Sequence, residues 1–187
     1  QRAVPRVSQV RAAERKEGSF IGPSRRRLYR VLDLPGSYSL TPTTLDEAIT
    51  RDFLLGRLAG EAAPEFVVCV VDATNLKLNL RLALELRDLG VPMVVALNMS
   101  DLARGRGFRI DRTRLEKELG VPVVETVAVE HGGHHQLVEA LEHVQHPGAA
   151  AAREWRDPSF DHIQQTQREV RRILHAIDYT EPARSEA

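Results

Sequence analysis

The sequence predicts an α/β domain in which helices cover both faces of a mostly parallel sheet. Three observations predict it. Near-continuous apolar runs at 66–72, 93–98 and 122–127 alternate with stretches of helical period, as expected of strands buried on both faces. Asp33, Asp72, Asn98 and Ala128 all fall at the carboxyl ends of predicted strands, where open α/β sheets bind their ligands. Between two of the runs, leucines at 76, 80, 84 and 86 mark one helix over 76–89, and Gly90 stops it.

The other elements follow in chain order. Residues 1–13 are arginine-rich, hold scattered valines and are interrupted by Pro5, so they read as an irregular segment. Residues 15–21 form an edge strand, Gly22-Pro23-Ser24 a turn, and 27–34 the returning strand of a hairpin. From Leu45 the period changes: Leu45, Ile49, Phe53 and Leu55 share a helical face, with Thr44 or Asp46 as cap and Gly60 and Pro64 as terminators. Gly105-Arg106-Gly107 reads as a loop. Asp111 caps a helix that Gly120 ends, and Gly132-Gly133 turns the chain into a short helix over 135–143. Composition shifts at Pro147-Gly148 and alanines 149–152, which read as a hinge. Ile163, Val170, Ile173, Leu174 and Ile177 then make an amphipathic stripe over 159–177, and the last residues, 181–187, are polar and loose.

The totals narrow the function. The 187 residues suggest one domain with a small appendage. With 26 basic and 26 acidic residues, the chain has no bulk attraction to nucleic acid or acidic lipid. A single cysteine, Cys69, excludes an intramolecular disulfide; it sits inside an apolar run as a small buried thiol and fits a reducing compartment. No apolar stretch reaches the roughly 18 residues that cross a bilayer, and no signal pattern opens the chain, so it reads as soluble. It starts at Gln1, without methionine, as a fragment would.

Two short motifs carry chemistry. Asp33-Leu34-Pro35-Gly36 puts a carboxylate at the mouth of a buried strand and then a glycine whose N–H a ligand can approach. Asp33 suits magnesium, directly or through water, and Gly36 suits a terminal phosphate; the same residues also suit a plain strand-end turn. Asn98-Met99-Ser100-Asp101 follows the 93–98 strand. There Asp101 suits the paired N1–H and N2 amine of guanine, which adenine lacks, while Asn98 pins the loop and reaches the base N7. An ordinary helix cap is the alternative. Val127-Ala128-Val129, at the last strand end, offers backbone N–H groups to the same base. Five of the seven histidines, at 131, 134, 135, 143 and 146, crowd one region. They read as a solvated surface, with a metal site as the weaker alternative.

Taken together, Asp33 to Leu40, Leu45-Asp46-Glu47, Val70 to Leu76, Asn79-Leu80 and Val95 to Asp101 resemble the cytosolic G domain of the bacterial ferrous iron transport protein B family, and Glu14 to Gly18 is similar to the segment after that family's first switch. The resemblance covers about residues 14–146, and the end of the chain resembles the start of the family's helical domain, with 147–187 as linker and helix. It implies a P-loop-NTPase-like (Ras-like) fold, GTP and GDP with Mg2+ as ligands, and slow GTP hydrolysis. It also implies regulation of Fe(II) uptake by a membrane domain, at the cytoplasmic face of the inner membrane.

Three departures from the family pattern shape the expectation. No lysine follows a glycine, so G-x-x-x-x-G-K-[ST] is absent; Ala12 stands where a switch threonine belongs; and no transmembrane helix is present. About half a dozen hydrogen bonds to phosphate, each contributing roughly 1.5–3 kcal/mol, would be missing. Even discounted, that is above about 5 kcal/mol, or several thousand-fold in affinity. The family's strand before the phosphate loop lies between those matching 27–34 and 66–72. Without it those two strands close up, or residues 4–10 substitute, or the fold is unstable. The expected function is therefore an impaired GTPase domain, with a non-enzymatic remnant or interaction module as the alternative.

Overall fold

The computed structural model describes residues 16–24, 26–58, 60–130, 132–144 and 159–182. The predicted irregular segment 1–13 and the hinge at 147–152 lie outside them.

A two-stranded antiparallel hairpin opens the described chain. It joins β1 (Lys16–Ile21) and β2 (Leu28–Asp33), with Lys16 opposite Asp33 and Ile21 opposite Leu28. Phe20 stacks on Tyr29 with ring centroids 4.9 Å apart. The main sheet is parallel and holds β3 (Val67–Asp72), β4 (Met93–Asn98) and β5 (Val123–Thr126) in that order. The predicted hairpin and parallel strands both form, but as separate sheets. Among the described residues β2 does not close onto β3, and the outer edge of β3 pairs with no strand.

The pleat of β4 separates two packing faces, because successive side chains point to opposite sides. Met93, Val95 and Leu97 join Cys69, Val71 and Val123 in one buried cluster with α2 (Leu76–Asp88), α4 (Arg112–Leu119) and α6 (Phe160–Ala176). Val94 and Ala96 point the other way and are equally buried, on the side where α5 (His135–His143) packs against β4 and β5. α5 does not extend over β3. Val70 lies directly beside Ala96 in register, yet Val70 is 61% exposed and Ala96 only 2%.

Local chemistry fixes the element ends. Thr44 and Glu47 form a reciprocal capping box at the start of α1 (Leu45–Leu54). Asp111 accepts the Arg114 N–H at the start of α4, and Gly120 ends that helix at φ +70°, a left-handed conformation that suits glycine. The chain after β4 does not pass straight into a loop: Ser100–Gly105 forms a short helix, α3. The helix expected up to Gly60 ends earlier, at Leu54.

Two attachments fasten the periphery. The β1–β2 turn docks on α5, where the Glu142 carboxylate accepts from the Ser24 N–H at 2.9 Å and the Ser24 hydroxyl at 2.8 Å. Gly22 makes this approach possible, since a Cβ there would collide with the Tyr29 ring and the Glu142 carboxylate. The C-terminal helix α6 starts on a Ser159 cap and buries Val170 and Ile173 against the core. Arg87 of α2 pairs with Glu169 at 3.0 Å, and Arg172 pairs with Glu118 at 2.6 Å.

Candidate functional site

The parallel register aligns three strand ends. Asp72 lies opposite Asn98, and Asn98 opposite Thr126, so all three stand at the carboxyl edge of the sheet. Each is used locally. Asp72 accepts the Thr74 N–H at 2.7 Å and the Thr74 hydroxyl at 2.8 Å, forming the 3-10 turn Ala73–Asn75 that feeds α2. The Asn98 side-chain oxygen accepts the Thr126 hydroxyl at 3.3 Å and the Ala128 N–H at 3.1 Å. One side chain thus fastens the loop after β5 to the loop after β4, bringing together the predicted residues Asn98 and Val127-Ala128-Val129.

Met99 turns the chain from β4 into α3 in a left-handed conformation, φ 59°. Such a conformation costs a residue with a Cβ roughly 1–2 kcal/mol, and it recurs at functional sites. Ser100 then points inward, 8% exposed, and its hydroxyl donates to the Leu97 carbonyl at 2.6 Å. That bond occupies the Ser100 side chain in holding the turn. Asp101 is exposed in the first turn of α3. Met99, 43% exposed, and Val129, 94% exposed, give the loops an apolar rim. An open cleft of about 420 Å³ continues past Asp101, lined by Arg104, Glu125, Glu130 and His135 among others. The Arg104–Glu125 pair, 3.0 Å apart, forms part of its wall.

The predicted phosphate-side residues lie on the other sheet. Asp33 is exposed at the end of β2, and Leu34 and Pro35 are half-buried. The Pro35 carbonyl accepts the Thr50 hydroxyl of α1 at 3.1 Å. Gly36 is exposed, and a Cβ there would meet nothing within 4 Å, so its backbone is open to approach. Among the described residues no hydrogen bond joins this segment to Asn98 or Asp101. Sequence reasoning missed two residues that the packing uses. Thr126 is half of the loop fastening, and Glu85 is a buried carboxylate that reads as an ordinary surface position within its helical stretch.

No three His, Cys, Asp or Glu side chains converge on a point among the described residues. His131 and His146 lie outside them. His134 stacks edgewise on His135, and the His143 ring bonds the Glu139 carbonyl. Magnesium needs no all-protein cage, since one carboxylate with phosphate oxygens and water suffices. Asp33, as an exposed carboxylate oxygen donor, fits that mode.

A sequence model of the family described as "Ferrous iron transport protein B" matches residues 9–141. The chain belongs to the ferrous iron transport protein B family. The Fe(2+) transporter FeoB of Salmonella typhimurium is 42% identical over 133 residues, 69% of this chain and 16% of that protein. The chain therefore spans about a sixth of the length of that relative. The FeoB G-domain from Methanococcus jannaschii is 42% identical with a TM-score of 0.62, the match covering 69% of this chain and 78% of that one. NFeoB from S. thermophilus with mGMPPNP bound is 39% identical with a TM-score of 0.60, over 70% of this chain and 47% of that one. The cytosolic domain of T. maritima FeoB in its GMPPNP form has a TM-score of 0.72 at 22% identity, over 89% of this chain and 85% of that one; it shares the fold. The α/β, P-loop-NTPase-like architecture expected from the sequence is that of the FeoB G domain. Among the described residues no helix is long and apolar enough to cross a membrane.

Proposed function

We propose that these residues form the base-recognising side of a guanine-nucleotide site in the G domain of a ferrous iron transporter. The observation that carries this reading is the fastening of the Val127–Val129 loop to Asn98 through the Ala128 N–H, which sets that loop beside Asp101 at adjoining strand ends. Asp101 accepts the N1–H and N2 amine of guanine, and its carboxylate left unpaired by adenine gives the discrimination. Asn98 holds the loop, and Met99 and Val129 flank the base with apolar surface. Asp33 would hold Mg2+, directly or through water, and Gly36 would meet the terminal phosphate, with Leu34 and Pro35 setting the turn between them. Magnesium, when bound, neutralises phosphate charge.

In this reading residues 14–146 are the G domain, and 147–187 are a linker and the start of a helical domain joined to the membrane transport domain. The G domain lies at the cytoplasmic face of the inner membrane, and its GTP cycle regulates Fe(II) uptake. The sequence holds no G-x-x-x-x-G-K-[ST], so within these 187 residues nucleotide is bound mainly through its base and weakly. The outer edge of β3 and the bare Val70 beside it are where a further strand would stand.

Titration with a fluorescent GDP analogue in magnesium buffer, with GTP and ATP as competitors, tests the reading. Guanine-selective competition is expected, weak in this stretch alone, and Asp101→Ala abolishes the preference for GTP over ATP, a loss of at least about tenfold. Equal competition by ATP, or binding unchanged by Asp101→Ala, would overturn the assignment. No saturation at millimolar nucleotide from a cooperatively melting sample would favour the remnant reading.

A further inference from the structure

The candidate site does not use Glu85, although Glu85 is the most deeply buried charged residue described. It lies on α2, 2% exposed. Its carboxylate faces the segment that follows Gly36: it accepts from the Ser39 hydroxyl at 3.0 and 3.1 Å and from the Leu40 N–H at 2.5 Å. The Arg81 guanidinium, one turn earlier on α2, supplies a third donor at 2.8 Å. A buried carboxylate is stable only while such donors stay in place. Two of the three come from the loop.

The same loop is held at its near end. The Thr50 hydroxyl of α1 donates to the Pro35 carbonyl. Leu40 itself is 1% exposed and plugged into the core. Between these holds only Gly36, Ser37 and Tyr38 remain, with Gly36 open on its Cβ side and Tyr38 54% exposed. The Ser37 hydroxyl donates to the Ser39 carbonyl at 2.6 Å, so even this short span is braced from the Ser39 end.

We infer that Glu85 is a positioning residue for the phosphate-side loop: by clamping Ser39 and Leu40 it anchors the far end of the loop, so that residues 36–38 move only between this clamp and the Thr50 hold on Pro35, which narrows the range through which the Gly36 N–H can turn. This rests on the proposed role of Gly36 toward a terminal phosphate. Swinging the loop as a whole would strip Glu85 of the Ser39 and Leu40 donors and leave a buried charge with Arg81 alone. Movement limited to three residues needs no such loss. The clamp therefore selects a small local adjustment over a large excursion, and it does so from α2, which carries none of the proposed site residues.

Two variants test it. Glu85→Ala removes the acceptor, and Ser39→Ala removes one donor, together with the oxygen that accepts the Thr41 N–H, while leaving α2 intact. Amide hydrogen exchange is read at Leu40, with the β3–β5 amides as an internal reference. Alongside it, the affinities for GDP and for a non-hydrolysable GTP analogue are measured. We expect exchange at Leu40 to rise about tenfold or more in both variants with the sheet amides unchanged. The GTP analogue should weaken while GDP does not, because only the terminal phosphate meets Gly36. Unchanged Leu40 exchange in a folded Ser39→Ala protein would overturn the clamp. Faster exchange with both nucleotides weakened equally would reduce Glu85 to a structural role and overturn the positioning. If the unaltered chain binds neither nucleotide, the functional reading fails and with it the positioning of Gly36, whereas the clamp itself is still decided by exchange.

Discussion

At the scale of single residues, one oxygen of Asn98 accepts from both the Thr126 hydroxyl and the Ala128 N–H. Thr126 is 6% exposed, whereas Ala128 is exposed. Asn98→Ala therefore strands a buried hydroxyl but leaves an amide that water can satisfy. A loss of about 1–3 kcal/mol is expected from the stranded group, read as a lower urea midpoint at unchanged slope. Cys69 makes a second residue-level test. Burial pushes its thiol up to about 12, and it is the thiolate that attacks thiol reagents. Modification of Cys69 at neutral pH should be very slow in the folded chain and rapid in denaturant, with a fast native reaction showing that β3 opens readily. The residues hardest to read from sequence were those whose work is done through packing. Asn98 and Asp101 form a motif with a chemical reason for its spacing. Glu85 carries no such mark, because only the fold brings Ser39 and Leu40 to it across 46 and 45 positions.

At the scale of elements, periodicity and caps located nearly every helix and strand. The leucine spacing of α2, the Thr44 cap of α1 and the glycine ends were legible because each is a local requirement of backbone geometry. The short α3 and the 3-10 turn after Asp72 were not, since six and three residues are too few to show a period. An isolated two-stranded hairpin is marginal in water, so β1–β2 depends on its attachments. These include Tyr29 set edgewise on Phe66, with ring centroids 6.0 Å apart, the Arg30–Glu61 ion pair at 3.7 Å, and the Ser24 hold on Glu142. The Ser24 N–H and hydroxyl hold the Glu142 carboxyl below its ordinary value of 4.5. A depressed carboxyl contributes stability that is full above its unfolded value and is lost as pH falls through the folded one. The hairpin should accordingly loosen from α5 only as the pH falls below 4.5, seen as faster exchange at the Ser24 amide. Glu142→Gln should remove that pH dependence; persistence of the acid step in the variant would place its origin elsewhere.

At the scale of the whole molecule, the arrangement of the two sheets was only partly legible. Alternation of strand and helix forecast a parallel sheet, and β4 is buried on both faces as expected of its centre. How the hairpin relates to that sheet is a long-range matter on which local pattern is silent. The family resemblance placed a strand between β2 and β3, and among the described residues none stands there. The bare Val70 has a practical consequence for handling the molecule. A row of backbone donors and acceptors next to an apolar side chain is a template on which a second chain can lay down a strand, the usual beginning of sticky, concentration-dependent self-association. Light scattering should therefore climb with protein concentration well below any denaturing temperature. Val70→Lys should suppress the rise, since a charge on an open edge is how natural sheets deter such growth. At 61% exposure the change should shift the melting free energy by no more than about 0.5 kcal/mol. Scattering that stays flat in the unaltered chain would mean that this edge is not sticky after all. A variant that still clouds would send the search for the growing surface to the hairpin, where Ile21 and Leu28 are 64% and 73% exposed.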